Sequence, residues 1–293
     1  MSPFKKILVL GGTGFTGRQI LKQLEIQDAI EVTCLVRPSS NAIKWSGKLP
    51  LKIVVGDLGD TASSNAAFKN QDTLIFVASM GFGHMKNVVN SCLENNVKRA
   101  VFTSSTAIFT RLSAQSKDGR QAGEKQIMES SLDWTILRPT MIFGRKGDRN
   151  LERLVKNLKK FPVFFVPGPG QALQQPIFVD DVAKAVIQAL ATDKSVRKAY
   201  NISGEVPLTF NQLVISTASA LGLKRAIVNL PLWPVQKAVK LYSIFAGTPI
   251  ISEEQILRLN ENKAFDHKDA QTDFGFTPIS FNEGIKFLVK ELS

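Results

Sequence analysis

The stretch Leu8-Val-Leu-Gly-Gly-Thr-Gly-Phe-Thr-Gly17 decides the fold of this chain. A short apolar run ends in four glycines, and apolar residues at helical spacing follow them. This order predicts a strand, a tight turn and a helix start, where backbone N–H groups can hold a pyrophosphate. We therefore predict a dinucleotide site and consider a glycine-rich turn without a ligand as the alternative. The residues of the predicted dinucleotide site are Gly11, Thr13, Gly14, Phe15, Thr16 and Gly17.

The size and charge of the chain restrict its class. The 293 residues are 44% hydrophobic and 21% charged, which suits one large or two small globular domains. The 37 lysines and arginines exceed the 25 aspartates and glutamates by 12. Such an excess fits anionic ligands, nucleic acid or an anionic membrane. No block of five like charges and no aromatic-interleaved basic motif occurs. We interpret the excess as dispersed surface charge with phosphate binding, and expect no nucleic-acid partner.

Cysteine usage and hydropathy bear on location. Cys34 and Cys92 fall in a predicted strand and a predicted helix, and neither belongs to a C-x-x-C pair. A reducing compartment therefore fits, and a metal site does not. The apolar run at 7–10 is too short for a signal peptide, and no apolar run of about 18 residues occurs. We expect a cytoplasmic protein without a transmembrane segment.

Strands and helices alternate through the first half of the chain, which is typical of a parallel sheet. We predict strands at 6–10, 31–36, 51–55, 73–78, 99–103, 134–138, 177–179 and 199–202. We predict helices near 15–26, 61–69, 84–96, 119–130, 151–160 and 181–191. Asp180 is a candidate N-cap of the last of these helices. The pattern indicates an α/β fold with a doubly wound, Rossmann-type parallel sheet.

The second half is less regular. Residues 161–170 are rich in proline and glycine and mark a break, and the pattern beyond 203 is mainly helical. Thr209 and Ser252 have the character of helix N-caps. We expect a nucleotide-binding domain over 1–150, to which 177–203 return. The rest of 151–293 would form a smaller, discontinuous substrate or cap region.

Seven motifs along the chain have a shared family pattern. On these motifs the chain resembles the short-chain dehydrogenase/reductase superfamily, in its extended and atypical branches. Those branches include nucleoside-diphosphate-sugar epimerases and relatives of a respiratory complex I accessory subunit. The motifs are Gly11-Gly-Thr-Gly-Phe-Thr-Gly17, Gly56-Asp-Leu58, Val77-Ala-Ser79, Val101-Phe-Thr-Ser-Ser105, Trp134-Thr-Ile-Leu-Arg-Pro-Thr140, Gln175-Pro-Ile-Phe-Val-Asp-Asp-Val-Ala183 and Asp273-Phe-Gly-Phe-Thr-Pro-Ile-Ser-Phe-Asn-Glu-Gly284.

The resemblance implies roles for individual residues. It implies Asp57 and Leu58 at the adenine, Ala78 and Ser79 along the middle of the dinucleotide, and Pro139 and Thr140 beside the nicotinamide. It also implies that Ser105 is the active-site hydroxyl. The alternative for Ser105 is a strand-end residue that caps its own turn.

The end of the second predicted strand bears on the choice of dinucleotide. An acidic residue about 20 positions after the glycine motif would bind the ribose 2′-OH of NAD. Here the segment Cys34-Leu-Val-Arg-Pro-Ser-Ser40 has no acid, and Arg37 stands 20 positions after Gly17. A guanidinium suits a 2′-phosphate because it is always charged and donates two parallel hydrogen bonds. We predict NADP(H), with NAD as the alternative cofactor and an Arg37 that stacks on adenine or faces solvent as the alternative role.

A catalytic tyrosine is missing. Reductases and epimerases of the superfamily use Tyr-x-x-x-Lys on a helix, with both side chains on one face. The two tyrosines of this chain, Tyr200 and Tyr242, lie elsewhere. One alignment puts Ser116 at the tyrosine position and Arg120 at the lysine position, and a looser alignment on Lys125 puts Gln121 at the tyrosine position. The usual proton relay is therefore absent or replaced, since an arginine does not give up its proton.

Three other residues are candidates for the proton transfer. His84 follows a predicted strand at the ligand edge of the sheet, and an imidazole side chain is suited to general acid–base chemistry. Its alternative is a solvated residue at a helix start. Glu124 and Asp118 are weaker candidates, which we expect to be a salt-bridge partner of Arg120 and an N-cap.

A basic loop predicts a second ligand. Arg145, Lys146 and Arg149 crowd the start of a predicted helix, where the dipole disfavours cations unless an anion is bound. This indicates a phosphorylated or carboxylated small-molecule substrate, such as a nucleotide-sugar, with Asn150 and Gln175 as donors to sugar hydroxyls. A solvated basic loop is the alternative.

The sequence leaves two functions open. The first is an NADP(H)-dependent oxidoreductase or epimerase that acts on a nucleotide-sugar or another polar carbonyl or carbinol compound. The second is a non-catalytic dinucleotide-binding protein, which the missing tyrosine favours. A homodimer is one alternative for its assembly. The apolar and basic segment 229–242 is predicted to be a cap helix, with a membrane contact or a pocket cover as alternatives.

Overall fold

The computed structural model describes residues 4–39, 47–112, 115–245 and 253–293, with the backbone alone at 115–116, 240–245 and 253–255. A seven-stranded sheet forms its larger part. The strands are β1 (Lys6–Leu10), β2 (Glu31–Val36), β3 (Leu51–Val55), β4 (Thr73–Phe76), β5 (Arg99–Thr103), β6 (Asp133–Pro139) and β11 (Lys198–Ile202). Their order is β11-β6-β5-β4-β1-β2-β3, and every neighbouring pair is parallel. The predicted doubly wound Rossmann-type sheet is confirmed.

Helices cover both faces of the sheet. They are α1 (Phe15–Leu24), α2 (Thr61–Phe68), α3 (Met85–Glu94), α4 (Gln115–Met128) and α6 (Val179–Leu190). Successive side chains of a strand point to opposite faces, so β1 contributes to two cores. Ile7 and Val9 pack with α1 and α6, whereas Leu8 and Leu10 pack with α2, α3 and α4. The carboxyl ends of the strands therefore meet at one edge between two apolar layers.

The remaining elements form a smaller helical region with short strands. Its helices are α5 (Leu151–Lys160), α7 (Phe210–Ala220), α8 (Leu232–Phe245), α9 (Glu253–Leu259), α10 (Lys268–Phe274) and α11 (Phe281–Glu291). Its strands pair as β7 (Ile142–Phe143) with β10 (Ile177–Phe178), β9 (Leu173–Gln174) with β12 (Leu208–Thr209), and β8 (Val163–Pro167) with β13 (Ala226–Leu230). A third apolar core joins α5, α7 and α11.

The predicted helix ends have mixed outcomes. Thr209 is an N-cap, and it forms a capping box with Gln212 at the start of α7. Asp180 is not an N-cap, because α6 begins at Val179 and the Asp180 carboxylate pairs with Arg145 instead. Ser252 lies outside the described residues.

The predicted break at 161–170 contains a strand. Val163–Pro167 forms β8 because its first four residues are β-branched or aromatic. The glycines mark the end of that strand, where Gly168 and Gly170 have φ angles of +86° and +66°. Proline and glycine thus set the boundary here and do not exclude the strand.

Candidate functional site

The glycine loop is packed too tightly for side chains. The Gly14 N–H donates to the Gly11 carbonyl at 3.0 Å and closes the turn before α1. Gly11 has a φ of +94°, and a Cβ there would lie 2.6 Å from the backbone nitrogen of Ala78. A Cβ on Gly17 would overlap the Gly11 carbonyl oxygen. The loop is therefore pressed against the chain that leaves β4, and its backbone lines the edge of the sheet.

The start of α1 is suited to an anion. Gly14 precedes the helix and has no side chain to cap it, and the first turn has no acidic residue. The first N–H groups of α1, at Phe15 and Thr16, therefore carry the positive end of the helix dipole. The Arg18 Nε donates to the Thr13 carbonyl at 3.1 Å, which keeps a second positive charge beside the loop. These features fit a nucleotide diphosphate, and the sequence interpretation had missed Arg18 although it follows Gly17 directly.

Arg37, the residue predicted to bind a 2′-phosphate, lies at the end of the neighbouring strand β2. Arg37 follows β2 directly and is exposed. Leu10 of β1 pairs with Leu35 of β2, and Val36 pairs with Val55 of β3, so Arg37 emerges between the glycine loop and the loop after β3.

The loop after β3 is held by its own polar groups. The Asp57 carboxylate accepts from the Gly59 N–H at 2.8 Å, and the Asp57 N–H donates to the Ser63 hydroxyl at 3.1 Å. Leu58 packs against the core that α2, α3 and α4 share. The Asp57 and Leu58 backbone is thereby fixed at the sheet edge where the adenine was predicted.

His84 lies beside this loop. A Cβ on Gly59 would be 3.3 Å from the His84 ring, and the Phe82 and His84 rings are 6.5 Å apart. On the preceding turn, the Ser79 hydroxyl accepts from the Gly81 N–H at 3.4 Å, next to Ala78. His84 thus belongs to the half of the site where the resemblance puts the adenine, and its contacts give no support to proton transfer at Ser105.

Ser105 caps the turn that follows β5. Its hydroxyl oxygen accepts from the Ala107 N–H at 3.2 Å and starts a 3₁₀ turn at Thr106–Phe109. This is the alternative capping role, and it leaves the hydroxyl hydrogen to be donated. Thr106 donates to the Pro139 carbonyl at 3.3 Å and ties the turn to the end of β6. Among the described residues, the buried hydroxyl of Ser104 has no hydrogen-bond partner.

Thr140 is a structural bridge. It is buried, its hydroxyl donates to the Gln175 carbonyl, and its N–H donates to the Ile202 carbonyl at 3.0 Å. Pro139 and Thr140 thus fix the chain after β6 to two other segments. The hydroxyl and the N–H of Thr140 therefore both have their acceptors within the protein.

Helix α4 carries the positions of the missing catalytic pair. Ser116 lies in its first turn, and the structure describes only the backbone there. Arg120 is partly buried, and both its burial and the nearby Arg258 lower the pKa of Arg120. Gln121 donates to the Ile108 carbonyl at 3.2 Å. Tyr200 is remote from this helix, since its hydroxyl donates to Asp273 at 2.6 Å beside β11.

The expectation that Glu124 forms a salt bridge with Arg120 is wrong. Glu124 is buried and binds the Arg138 guanidinium with both carboxylate oxygens, at 2.6 to 3.1 Å, and does not pair with Arg120. The Arg138 guanidinium also lies 5.3 Å from the centre of the Phe109 ring. This ion pair fixes α4 against β6.

Two of the four predicted substrate residues are used inside the protein. Arg145 pairs with Asp180 at 2.6 Å and with Glu291 at 2.9 Å. The hydrogen bond that Arg145 donates to the Asp180 carboxylate raises the pKa of Arg145. The protein thus supplies the anions that the helix dipole was expected to require from a substrate. The Gln175 side chain donates to Gly204 at 2.7 Å and accepts from Phe265 at 2.8 Å, so its amide joins three segments.

The other two predicted substrate residues, Arg149 and Asn150, are exposed at the start of α5. Arg149 and Asn150 precede this helix, and the N–H of Asn150 donates to the buried carboxylate of Asp148 at 2.8 Å. Burial raises the pKa of Asp148 to about 6. A Cβ on Gly147 would lie 3.7 Å from the Phe15 ring, so this loop borders the glycine loop.

An extended segment, Glu261–His267, crosses the edge of the sheet. We call it the strap. Its odd-numbered residues face inward. Glu261 accepts from the Thr110 hydroxyl at 2.7 and 2.9 Å, the Phe265 ring lies 5.6 Å from the Phe109 ring, and His267 Nδ1 lies 2.7 Å from the Ser203 hydroxyl. The strap thus joins the turn after β5 to the end of β11.

The strap also carries a buried lysine. The ammonium of Lys263 donates to the Arg258 carbonyl at the end of α9. Burial and the charge of Arg258 lower the pKa of Lys263 to about 8. The sequence interpretation had missed the strap, whose contacts with Phe109, Thr110 and Ser203 are all distant in the chain.

A comparison with known families agrees with the interpretation of the glycine loop as part of a dinucleotide site. Residues 11–193 match the model of the family described as NAD(P)H-binding. The chain belongs to the NAD(P)H-binding family. The relatives are of the extended short-chain dehydrogenase/reductase type, as the motifs had indicated.

Individual relatives are distant in sequence. The chain is 23% identical to a 3beta-hydroxysteroid-dehydrogenase/decarboxylase isoform 2 of Arabidopsis thaliana over 98% of its own length and 62% of that protein's. It is 23% identical to an N-acetyl-alpha-D-glucosaminyl-diphospho-ditrans,octacis-undecaprenol 4-epimerase of Escherichia coli O157:H7, over 77% and 75% of the two chains. The fold is similar to a UDP-glucose 4-epimerase from Thermotoga maritima, solved with UDP-glucose, with a TM-score of 0.75, 18% identity and 98% coverage of both chains.

The described ranges contain neither a candidate membrane-spanning helix nor a candidate metal-ligand cluster. No helix there is long and apolar enough to cross a membrane. No group of three or more His, Cys, Asp or Glu residues there is placed to hold a metal ion.

Proposed function

We propose that this protein is an NADP(H)-dependent oxidoreductase or epimerase of the extended short-chain type. The observation that carries the proposal is the glycine loop, whose backbone packs against Ala78 and presents the uncapped start of α1. The names of the relatives support dehydrogenase or epimerase chemistry. Under this proposal the predicted cofactor residues act as expected. The glycine loop binds the diphosphate, Asp57 and Leu58 lie at the adenine, and Ala78, Ser79, Pro139 and Thr140 line the rest of the dinucleotide.

The choice of NADP(H) depends on charge. Arg37 follows the end of β2 and Arg18 is held at the glycine loop, so two guanidinium groups border the place of a ribose 2′-phosphate. No acidic residue follows β2 directly to bind a 2′-hydroxyl. NAD remains the alternative cofactor.

The chemistry centres on Ser105. A bound nicotinamide dinucleotide would supply or accept the hydride. The Ser105 hydroxyl donates a hydrogen bond to the substrate oxygen, since its own oxygen already accepts from Ala107. Arg120 holds ribose hydroxyls and adds positive charge near the oxygen. Because α4 has no phenol, the proton comes from solvent and reaches the substrate oxygen through Ser105.

The substrate is a polar carbonyl or carbinol compound, with a nucleotide-sugar as one candidate. Arg149 and Asn150 are exposed beside the glycine loop and remain its proposed contacts. The internal partners of Arg145 and Gln175 argue against a direct role for these two side chains.

The alternative is a non-catalytic dinucleotide-binding protein. The sequence of α4, which has no tyrosine, favours it, as does the hydrogen bond that Ser105 makes to its own turn. The two functions differ in turnover and share cofactor binding.

The test combines binding with turnover. NADPH is titrated into the protein, and nicotinamide absorbance is then followed with a panel of nucleotide-sugars and carbonyl compounds. We expect turnover that Ser105→Ala abolishes and the control Ser130→Ala retains, because Ser130 bonds only within the turn after α4. Dinucleotide binding without turnover over the panel would establish the alternative, and a failure to bind either NADPH or NADH would exclude both functions.

A further inference from the structure

The cap region presents an apolar sheet face. Strands β8 and β13 are parallel, with Phe165 paired to Val228, so side chains of the same alternate set share a face. This face, which we call the ribbon face, consists of apolar residues alone. Phe165 is 58% exposed and Val228 is 40% exposed, while Val166 on the opposite face is buried. The members of the ribbon face are Val163, Phe165, Pro167, Ala226, Val228 and Leu230.

Each end of the ribbon carries an exposed aromatic residue with a lysine. Phe161 lies two residues before β8 and is 47% exposed, and the Lys160 ammonium lies 5.2 Å from its ring centre. Trp233 lies three residues after β13 and is 64% exposed, with the Lys237 ammonium 4.1 Å from its ring. At each end of the ribbon, the apolar surface is thus followed by an aromatic ring with a lysine ammonium beside it.

The charge of these segments has one sign. The sequence has no aspartate or glutamate from 153 to 179 or from 206 to 252, the two stretches that contain β8, β13 and α8. The same stretches hold eight basic residues, Arg153, Lys156, Lys159, Lys160, Lys224, Arg225, Lys237 and Lys240. Lys160 and Lys237 lie beside the aromatic rings at the ribbon ends, whereas Lys156 pairs with Glu152 at 2.6 Å.

We propose that the ribbon face docks on an anionic lipid bilayer. Aromatic side chains suit the headgroup level of a membrane, and lysines extend from apolar surfaces toward anionic headgroups. A second copy of the chain fits less well, because two surfaces of the same positive sign would repel each other. The proposal is independent of the enzymatic function.

Docking would also place the candidate site near the membrane. Asn260, next to the strap, donates through its amide to the Pro167 carbonyl at 3.1 Å. Gly168 at the same end donates to the Leu230 carbonyl at 2.8 Å. The end of the ribbon therefore contacts the residue that directly precedes the strap.

The test uses vesicles of defined composition. The full chain is sedimented with vesicles of phosphatidylcholine alone, and with vesicles of two parts phosphatidylcholine to one part phosphatidylglycerol. We expect binding to the second set that weakens with added salt. Phe165→Glu and Trp233→Glu abolish it, and Lys237→Gln weakens it about fivefold. Ile26→Glu is the matched control, because Ile26 is an apolar residue that is 73% exposed and lies two residues after α1, outside the ribbon.

A second readout locates the contact. In a Trp45→Phe background, vesicles with brominated acyl chains should quench the tryptophan fluorescence of the protein, and adding Trp233→Phe should remove that quenching, since the remaining Trp134 is buried. All variants must retain NADPH affinity and the thermal transition of the parent. The proposal is overturned if folded protein ignores the anionic vesicles, or if Phe165→Glu and Ile26→Glu bind them equally. A concentration-dependent dimer that Phe165→Glu dissolves, without vesicle binding, would assign the face to a second copy instead.

Discussion

Glu124 on α4 grips the Arg138 guanidinium of β6 with both carboxylate oxygens, and both side chains are largely excluded from solvent. Removal of one partner leaves an uncompensated buried charge, which costs about 3–5 kcal/mol. We therefore expect Glu124→Gln to lose stability of that order in chemical denaturation. Glu129→Gln is the control, because Glu129 pairs with Lys125 in solvent and should cost about 0.5 kcal/mol or less. Equal losses for the two variants would contradict a buried ion pair.

The tight glycine packing predicts a coupled loss of stability and cofactor binding. Gly17→Ala would drive its methyl group into the Gly11 carbonyl and push the loop from its position. Overpacking of this kind costs roughly 1–3 kcal/mol. We expect a lower thermal transition and weaker NADPH binding by calorimetry. Gly123→Ala has ordinary contacts at 3.6 Å and should be neutral or slightly stabilising. Undiminished NADPH binding by Gly17→Ala would argue against the loop as the phosphate site.

Arg37 should discriminate between the two dinucleotides. A hydrogen bond to a charged group contributes about 1.5–3 kcal/mol, so Arg37→Ala should weaken NADPH binding roughly 10- to 100-fold. NADH, which has no 2′-phosphate, should bind the parent and Arg37→Ala alike. Both affinities are measured by fluorescence titration, with Lys69→Ala, an exposed residue after α2, as the control. A parallel loss for both dinucleotides would mean that Arg37 stacks on the adenine.

Asp148 should give a pH dependence of stability. Burial raises its pKa from 3.8 to about 6, so the folded protein keeps a proton that the unfolded chain loses between those values. The free energy of unfolding should therefore fall, by roughly 3 kcal/mol, as pH rises through this interval. Denaturation curves at several pH values measure the slope, which Asp148→Asn should reduce and the exposed Asp118→Asn should not. A slope unchanged in Asp148→Asn would rule out this group as its source.

The local sequence predicted the sheet well. β1, β2, β3 and β5 have the predicted bounds because each apolar run is short and is followed by glycine, proline or polar residues. Parallel order then followed from the alternation with helices. Helix starts were less accurate: Asp180 has capping chemistry, but Arg145 takes its carboxylate.

The roles of polar side chains were harder to predict because their partners are distant in the chain. Arg145 was a sound candidate for a substrate anion until Glu291, 146 residues away, was found beside it. Gln175 likewise bonds to Gly204 and Phe265. The strap is set entirely by such contacts, so neither its position nor the burial of Lys263 has a local signature.

The sulfur atom of Cys34 packs directly beneath the glycine loop. Cys34 lies so close under Gly12 that a Cβ there would be 2.8 Å from its Sγ, while Cys92 is buried in the core on the other face of the sheet. Burial raises the pKa of both thiols to about 12, so neither reacts until the structure opens. A coenzyme that clamps the loop would slow alkylation of Cys34 relative to Cys92. Under the proposed function, the alkylation rate of Cys34 relative to that of Cys92 would therefore report whether a coenzyme is bound, with an internal reference in the same molecule.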